Sequence, residues 1–196
     1  MELLAAIPSV VYGTWGIFVL IPFLRGHVVP PLKAIFGWTP FLQGVFYGNS
    51  LLAGGIILAI MIVPYIAAVS REVLLAVPSS QREAALALGY ARWRTSLKIV
   101  ARTALAGIVT GCLVGIARVA GETAPLLFTA LGNLNFTVNA NQPMQTLSLQ
   151  IYVYATGPYD NWHRIAWASA LVLMGLVLII SLTARWVTRQ RYGSVR

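Results

Sequence analysis

Charged residues are scarce in this chain of 196 residues, where they make up 10% of the sequence. Acidic residues are the scarcest, with 5 Asp and Glu against 14 Lys and Arg. A soluble domain carries about 25% charged residues, so this composition argues against a water-soluble globule and against a disordered chain. Hydrophobic residues make up 58% of the sequence and form long runs without charge. The sequence therefore predicts an integral membrane protein.

Side chains suited to covalent or metal chemistry are also few. The single cysteine, Cys112, excludes an intrachain disulfide and a cysteine-based metal site. His27 and His163 lie far apart without other metal ligands beside them, so we expect no bound metal. The sequence lacks a G-x-x-x-x-G-K-[ST] nucleotide-binding loop, and its apolar runs lack a nucleophile with a base or a pair of acids. We therefore expect no cofactor in this chain and no enzymatic activity of its own.

Four apolar runs are long enough for a helix to cross a bilayer, which needs about 20 residues. They cover about residues 3–24, 48–70, 103–121 and 165–184. These runs predict an all-α fold in which residues 1–196 form a single transmembrane domain of about four helices. Pro64 lies inside the second run and predicts a kink there.

Basic residues cluster beside the apolar runs and predict the orientation of the chain. Six of them lie in 71–102 and four in 185–196, whereas 25–47 holds two and 123–163 holds none. Cytoplasmic segments of membrane proteins carry more Lys and Arg, so we expect both termini and 71–102 in the cytoplasm and the other two segments outside. The net charge of +9 thus fits contact with the lipid bilayer, and we expect no nucleic-acid partner.

The outer segment 132–162 is rich in Asn and Gln and ends with several aromatic residues. An aromatic belt at the membrane surface explains this pattern, and a docking surface for an external partner is the alternative. The aromatic residues concerned are Tyr152, Tyr154, Tyr159 and Trp162.

A short helix is predicted inside the cytoplasmic segment. Ser80 and Glu83 have the spacing of a capping box, and the Ala and Leu residues that follow favour a helix that Gly89 can end. Capping alone is a sufficient explanation for Glu83. A helix rich in Ala and Leu must nevertheless bury its apolar face, either against the protein itself or in the groove of a partner.

These residues resemble a known family. Glu83-Ala84-Ala85, followed by Gly89 and then by Ile99, is similar to the EAA loop of ABC-importer permeases. In that family the loop forms a coupling helix that inserts into a cleft of the ATP-binding subunit. The front half is closer to one of the two paralogous permease subunits of the bacterial phosphate-specific (Pst) system, and the remainder is closer to the other. The segments that carry this similarity are IPSVVYG (7–13), REAALALG (82–89), GIVTG (107–111) and ARVAGETAPLLFTALGN (117–133).

The resemblance implies a type I permease core in the bacterial inner membrane that takes part in ATP-driven import of inorganic phosphate. It implies three protein partners, which are an ATP-binding subunit, a paralogous permease subunit and a periplasmic phosphate-binding protein. An importer of sulfate or molybdate, or a permease-like protein that docks partners without transporting, is the alternative. The residues on which the ATP-binding subunit would dock are Arg82, Glu83, Ala84, Ala85 and Gly89.

Two features depart from the family pattern. The loop usually ends in Ile-x-Leu-Pro, whereas this chain has Ile99-Val100-Ala101-Arg102, so Arg102 bears on how the loop re-enters the membrane. Family members also usually have more spans than the four apolar runs found here. The chain therefore resembles such a permease without its N-terminal spans.

Arg118 and Glu122 stand out because a charge at the centre of a membrane helix costs about 2.5–3.5 kcal/mol. Their i, i+4 spacing predicts that they lie on one face of a continuous helix and pair. A purely structural ion pair is one interpretation. The other is an anion path, in which Arg118 offers a planar fork of N–H donors to phosphate oxygens while Glu122 orients it and weakens its grip.

The neighbouring residues bear on the same choice. Gly121 would let another helix approach closely, Thr123 would add a hydroxyl, and Pro125 predicts a break or bend in the helix. The resemblance favours the anion path, because the Arg-x-x-Gly-Glu segment lies in the translocation region of the family. The candidate substrate-path residues are therefore Arg118, Gly121, Glu122 and Thr123.

Overall fold

The computed structural model describes residues 7–133 and 139–192, the latter without the side chains of 184 and 187–192. In these residues the chain forms seven helices, and β-structure is limited to one isolated bridge between Leu131 and Met144. The helices are α1 Ser9–Phe36, α2 Leu51–Leu75, α3 Ser79–Ala87, α4 Arg92–Ala120, α5 Ala124–Thr129, α6 Leu147–Ala155 and α7 Asp160–Tyr192.

Four of the described helices are long and apolar enough to cross a membrane, namely α1, α2, α4 and the Asp160–Thr183 part of α7. The predicted all-α membrane fold is confirmed. All four extend beyond the predicted apolar runs, and the largest extensions are those of α1, which continues to Phe36, and α4, which begins at Arg92. Hydropathy identifies the part of a helix whose side chains suit the lipid interior. The hydrogen bonds of the helix can continue into the polar residues on either side of that part. Three parts of the predicted topology lie outside the described residues, and they are 3–6, 134–138 and 193–196.

Helix α1 contains two wider, π-helical turns, Gly16–Leu20 and Leu24–Val28. Each turn lies just before a proline, and these prolines are Pro22 and Pro30. A proline ring clashes with the carbonyl four residues earlier and has no N–H to donate to it, and the wider turn accommodates this displaced carbonyl.

The predicted outer connection 25–47 is partly helical, because it includes the second half of α1. Its two basic residues bond to the loop that follows the helix. Arg25 donates to the carbonyl of Tyr47 (2.6 Å), and Lys33 donates to the carbonyl of Gly44. Both cations thus hold this loop against α1.

Helices α2 and α4 pack closely through a row of glycines on α4. Gly107, Gly111 and Gly115 recur every four residues and therefore lie on one face. A Cβ atom at Gly111 would lie 2.6 Å from the Cγ1 of Val69 on α2. Small residues at this spacing let membrane helices approach within van der Waals contact of the backbone.

The chain breaks between α4 and α5, as Pro125 predicts. Pro125 lies in the first turn of α5, where its missing N–H costs nothing. Helix α5 is wedged between α1 and α2, where glycines make room for it. Gly13 of α1 faces Phe128, and Gly54 of α2 faces Leu126.

The Asn- and Gln-rich segment packs over the beginning of α2. Asn141 is fully buried, and its side-chain amide donates to the carbonyl of Leu42 (2.8 Å). The carbonyl of Ala140 accepts from the free amide of Leu52 in the first turn of α2 (2.9 Å). In the aromatic group that follows, Tyr154 and Tyr159 contact Trp162 edge to face, with ring centroids 5.3 Å and 5.0 Å away.

Candidate functional site

A cavity of about 250 Å³ lies between the first turn of α1, the middle of α2 and the end of α4. Arg118 and Glu122 both line it. Tyr12 of α1 and Tyr65 of α2 are the aromatic side chains in its wall. Two of the four candidate substrate-path residues therefore line one cavity.

The predicted ion pair between Arg118 and Glu122 is not formed. Helix α4 ends at Ala120, so Glu122 does not occupy the next turn of the same helix. Its amide donates to the carbonyl of Val119 (3.0 Å) and closes a tight turn. Among the described residues one pair of opposite charges lies within 4 Å, and it is formed by the exposed side chains of Arg71 and Glu72.

The guanidinium of Arg118 instead lies over the ring of Tyr65, with its Cζ atom 5.3 Å from the ring centroid. This distance is within the range of a cation–π interaction, in which the face of the aromatic ring attracts the cation. Among the described residues Arg118 makes no hydrogen bond or ion pair through its side chain. The N–H groups of its guanidinium thus have no hydrogen-bond partner among the described residues.

Tyr65 was missed by sequence reasoning, although a signal was present. It is the one aromatic residue in the apolar run 48–70. Nothing in the spacing of that run connects it to Arg118, because the two residues lie on different helices. Only the packing of α2 on α4 brings them together.

The other two candidate path residues lie apart from the cavity wall. Gly121 ends α4, and a Cβ built there would meet only the carbonyl of Arg118, at 3.6 Å, so the predicted close approach of another helix does not occur in the described structure. Thr123 precedes α5, and its carbonyl accepts from the amide of Leu127 (2.9 Å). Gly121 and Thr123 thus form the turn that follows Arg118 and are not part of the cavity wall.

The predicted capping box of the cytoplasmic helix is wrong. Helix α3 begins at Ser79, so Ser80 lies inside its first turn. Pro78 occupies the cap and offers no side-chain oxygen. No side chain makes a capping hydrogen bond at this end of the helix, so the start does not use the predicted bonds of Ser80 and Glu83.

The end of α3 agrees with the prediction for Gly89. This glycine has a φ of +80°, a left-handed conformation that side chains disfavour. Its amide donates to the carbonyl of Leu86 (2.9 Å), and the amide of Tyr90 donates to the carbonyl of Ala85 (3.1 Å). These two bonds form a Schellman motif, which ends a helix sharply.

One side of α3 holds it against the membrane helices. Ala85 is buried, and the half-buried Arg82 donates to the carbonyl of Leu74 at the end of α2 (2.8 Å). Gln81 accepts from the hydroxyl of Thr103 on α4 (3.3 Å). Helix α3 is therefore bonded to both helices that flank the Arg118 cavity.

The other side of α3 is exposed. Glu83 and Ala84 lie on it, and so does Gly89 at the end of the helix. Leu88, next to Gly89, has 79% of its surface exposed. The five predicted docking residues thus divide into two that face this chain and three that face away from it.

Arg102 lies inside α4, which runs without a break from Arg92 to Ala120. A proline at this position would remove the amide of residue 102 from the helix and clash with the carbonyl of Lys98. Arginine at this position is therefore compatible with one continuous helix that leads from this segment into the membrane span.

The two histidines are explained by local contacts. His27 stacks on Phe23, with ring centroids 5.2 Å apart, and His163 lies 3.0 Å from the carbonyl of Gly157 through its Nε2 atom. Within the described residues no three His, Cys, Asp or Glu side chains converge as a metal site requires.

Comparison with known proteins decides the family. The family described as "Binding-protein-dependent transport system inner membrane component" matches residues 1–191. The chain belongs to this family. It is thus a multi-pass inner membrane protein of a permease family, and no solved structure matches it significantly.

The permease chain is similar to proteins of both subunit types named for phosphate transport. It is 40% identical over 151 residues to the phosphate transport system permease protein PstA of Xylella fastidiosa (strain 9a5c), an alignment that covers 77% of this chain and 53% of that protein. It is 35% identical over 184 residues to PstA of Haemophilus influenzae, covering 94% of this chain and 57% of that protein. It is also 35% identical over 187 residues to PstC of Xylella fastidiosa (strain 9a5c), covering 92% and 55%. The permease chain therefore spans about half the length of these relatives.

Proposed function

We propose that this permease chain forms part of the membrane pathway of an ATP-driven importer of inorganic phosphate. The observation that carries the proposal is the cavity of about 250 Å³ that Arg118 lines, where its guanidinium contacts Tyr65 and has no ion-pair partner among the described residues. The phosphate-transport names of the relatives support the choice of substrate.

The chemistry of Arg118 suits an oxyanion. A guanidinium keeps its charge at physiological pH and offers a planar fork of donors that matches two phosphate oxygens. Glu122 lines the same cavity without pairing to Arg118. Its carboxylate would repel a bound anion and so keep the site from holding its cargo too long, which a path for transport requires.

Helix α3 would couple this cavity to ATP hydrolysis by a separate subunit. Its exposed side, with Glu83, Ala84 and Gly89, would dock on that subunit. Its other side is bonded to α2 and α4 through Arg82 and Gln81. A displacement of α3 would therefore act on the two helices that carry Tyr65 and Arg118.

The remaining partners follow from the same proposal. A paralogous permease subunit would complete the pathway, and a periplasmic phosphate-binding protein would deliver the anion from outside. The basic segment that contains α3 would face the cytoplasm together with both termini of the chain, in the inner membrane of a bacterium. ATP would be bound by the partner subunit rather than by this chain.

Uptake of labelled phosphate tests the proposal. Membrane vesicles would hold this chain with the ATP-binding subunit and the paralogous permease, with the binding protein supplied outside. We expect uptake that needs ATP and binding protein and is insensitive to excess sulfate or molybdate. Competition by sulfate or molybdate would contradict the substrate assignment, and absence of uptake from an assembled complex would contradict a transport role.

A further inference from the structure

The guanidinium of Arg118 contacts the ring of Tyr65, and no carboxylate pairs with it among the described residues. We infer that Tyr65 is a positioning residue for anion transport, whose ring face fixes the Arg118 guanidinium while leaving its N–H donors free. This inference rests on the proposed function of Arg118 as an anion ligand. Tyr65 lies on α2, whereas Arg118 lies on α4. The contact between them is made by an aromatic ring and is not an ion pair.

The packing around Tyr65 is arranged so that its ring reaches Arg118. Gly115 lies on α4 three residues before Arg118 and is buried. A Cβ atom at Gly115 would lie 3.3 Å from the Cδ1 atom of Tyr65, which is closer than most such contacts. The glycine therefore lets the ring lie against the backbone of α4, directly below the guanidinium.

The position of Tyr65 on α2 is fixed by its neighbours. It follows the buried Pro64, which cannot donate to the carbonyl of Ile60. Ile62 packs beside the ring, and its Cδ1 atom would lie 3.2 Å from a Cβ at Gly115. The ring is thus held between α2 and α4 by contacts on both helices.

Contact through the face has a chemical consequence that an ion pair lacks. A carboxylate on Arg118 would occupy the N–H donors and cancel the charge that attracts an anion. The face of Tyr65 attracts the cation by its ring quadrupole and adds no opposite charge. Arg118 can thus be held in one orientation and still offer its full charge and fork to an oxyanion.

The test compares Tyr65→Leu with Tyr65→Phe in the reconstituted importer. Initial phosphate uptake is measured against the concentration of phosphate-loaded binding protein. A cation–π contact is worth a factor of about 2 to 30 in an equilibrium or rate, so we expect Tyr65→Leu to lower the maximal uptake by roughly tenfold. Because Phe keeps the ring face, Tyr65→Phe should stay within about twofold of the unmodified protein. The half-saturating concentration of binding protein should not change in either variant.

Val69→Ala is the matched control. Val69 packs α2 against α4 at Gly111 but does not line the cavity. It should therefore leave uptake within about twofold, and a tenfold loss in Val69→Ala would overturn the inference by showing that general packing of α2 on α4 is what matters. A loss in Tyr65→Phe equal to that in Tyr65→Leu would overturn it in favour of the hydroxyl.

A third variant, Arg118→Gln, separates failure of the inference from failure of the proposed function. If Arg118→Gln abolishes uptake while Tyr65→Leu transports normally, the inference about Tyr65 is wrong and the anion path stands. If Arg118→Gln itself transports normally, the anion path is refuted and the role of Tyr65 falls with it.

Discussion

Replacing Gly111 by alanine places a methyl group where α4 meets α2. Its Cβ atom would lie 2.6 Å from the Cγ1 atom of Val69. Carbon atoms in contact lie about 3.5–4.0 Å apart, so the two helices must separate locally by about 1 Å or Val69 must change its rotamer. Overpacking of this kind costs about 1–3 kcal/mol.

The intrinsic gain from alanine must be separated from this cost. Alanine is favoured over glycine within a helix by about 1 kcal/mol, which partly offsets the overpacking. Gly55 on α2 provides the control, because a Cβ there meets no atom within 4 Å. We therefore expect the free energy of unfolding of Gly111→Ala to be about 1–3 kcal/mol lower than that of Gly55→Ala.

A second substitution should relieve the clash. Val69→Ala removes the Cγ1 atom and leaves its Cβ atom 3.4 Å from the new methyl group, an ordinary contact. The double variant should then be more stable than the sum of the two single effects predicts. Thermal unfolding of the detergent-purified proteins measures the stability of the three single variants and of the double variant. Equal stability of Gly111→Ala and Gly55→Ala, or strict additivity of the double variant, would refute the packing account.

Three further substitutions probe other parts of the chain. Arg82→Gln removes the bond to the Leu74 carbonyl, so ATP-driven uptake should fall. Co-purification with the ATP-binding subunit should not change, because the exposed side of α3 is unaltered. Unimpaired uptake would contradict this prediction. Gly89→Leu should weaken that co-purification because of the φ of +80°, whereas Gly89→Asn, which tolerates this conformation, should not, and equal effects would show that strain is irrelevant. Asn141→Ala removes a buried hydrogen bond to Leu42 and should lower the free energy of unfolding by about 1–3 kcal/mol in thermal melts, while an unchanged melting temperature would contradict a stabilising role.

The sequence was sufficient for features that depend on local composition. Long apolar runs predicted the four membrane-length helices because the hydrocarbon core of a bilayer accepts few polar side chains. Gly89 and Pro125 predicted an end and a break of helices, since each restricts the backbone by its own covalent structure. These features require no knowledge of what packs against them.

Features that depend on contacts between helices were not predictable in this way. The pairing of Arg118 with Glu122 assumed a helix that continues past Ala120, but the chain turns at Gly121. The contact between Arg118 and Tyr65 depends on how α2 lies on α4, which the row of glycines sets. The capping box failed for a local reason, because Pro78 rather than Ser80 occupies the cap, and α3 starts two residues earlier than predicted.

The length of α1 was underestimated because its second half contains charged residues that bond to a neighbouring loop. Arg25 and Lys33 were expected in an outer connection, and both instead tie the second half of α1 to the loop beyond it. Their charges lower the hydropathy of a segment that is nevertheless helical. Composition alone cannot distinguish a charge in water from a charge bonded to a neighbouring carbonyl.

Phosphate uptake by Arg118→Gln, compared with Arg71→Gln, is the most direct measurement. Both substitutions remove one positive charge, but Arg71 lies on the surface beside Glu72, whereas Arg118 lines the cavity. The proposed anion path predicts that Arg118→Gln loses uptake while still assembling with its partner subunits, and that Arg71→Gln transports normally. Normal uptake by an assembled Arg118→Gln complex would contradict it.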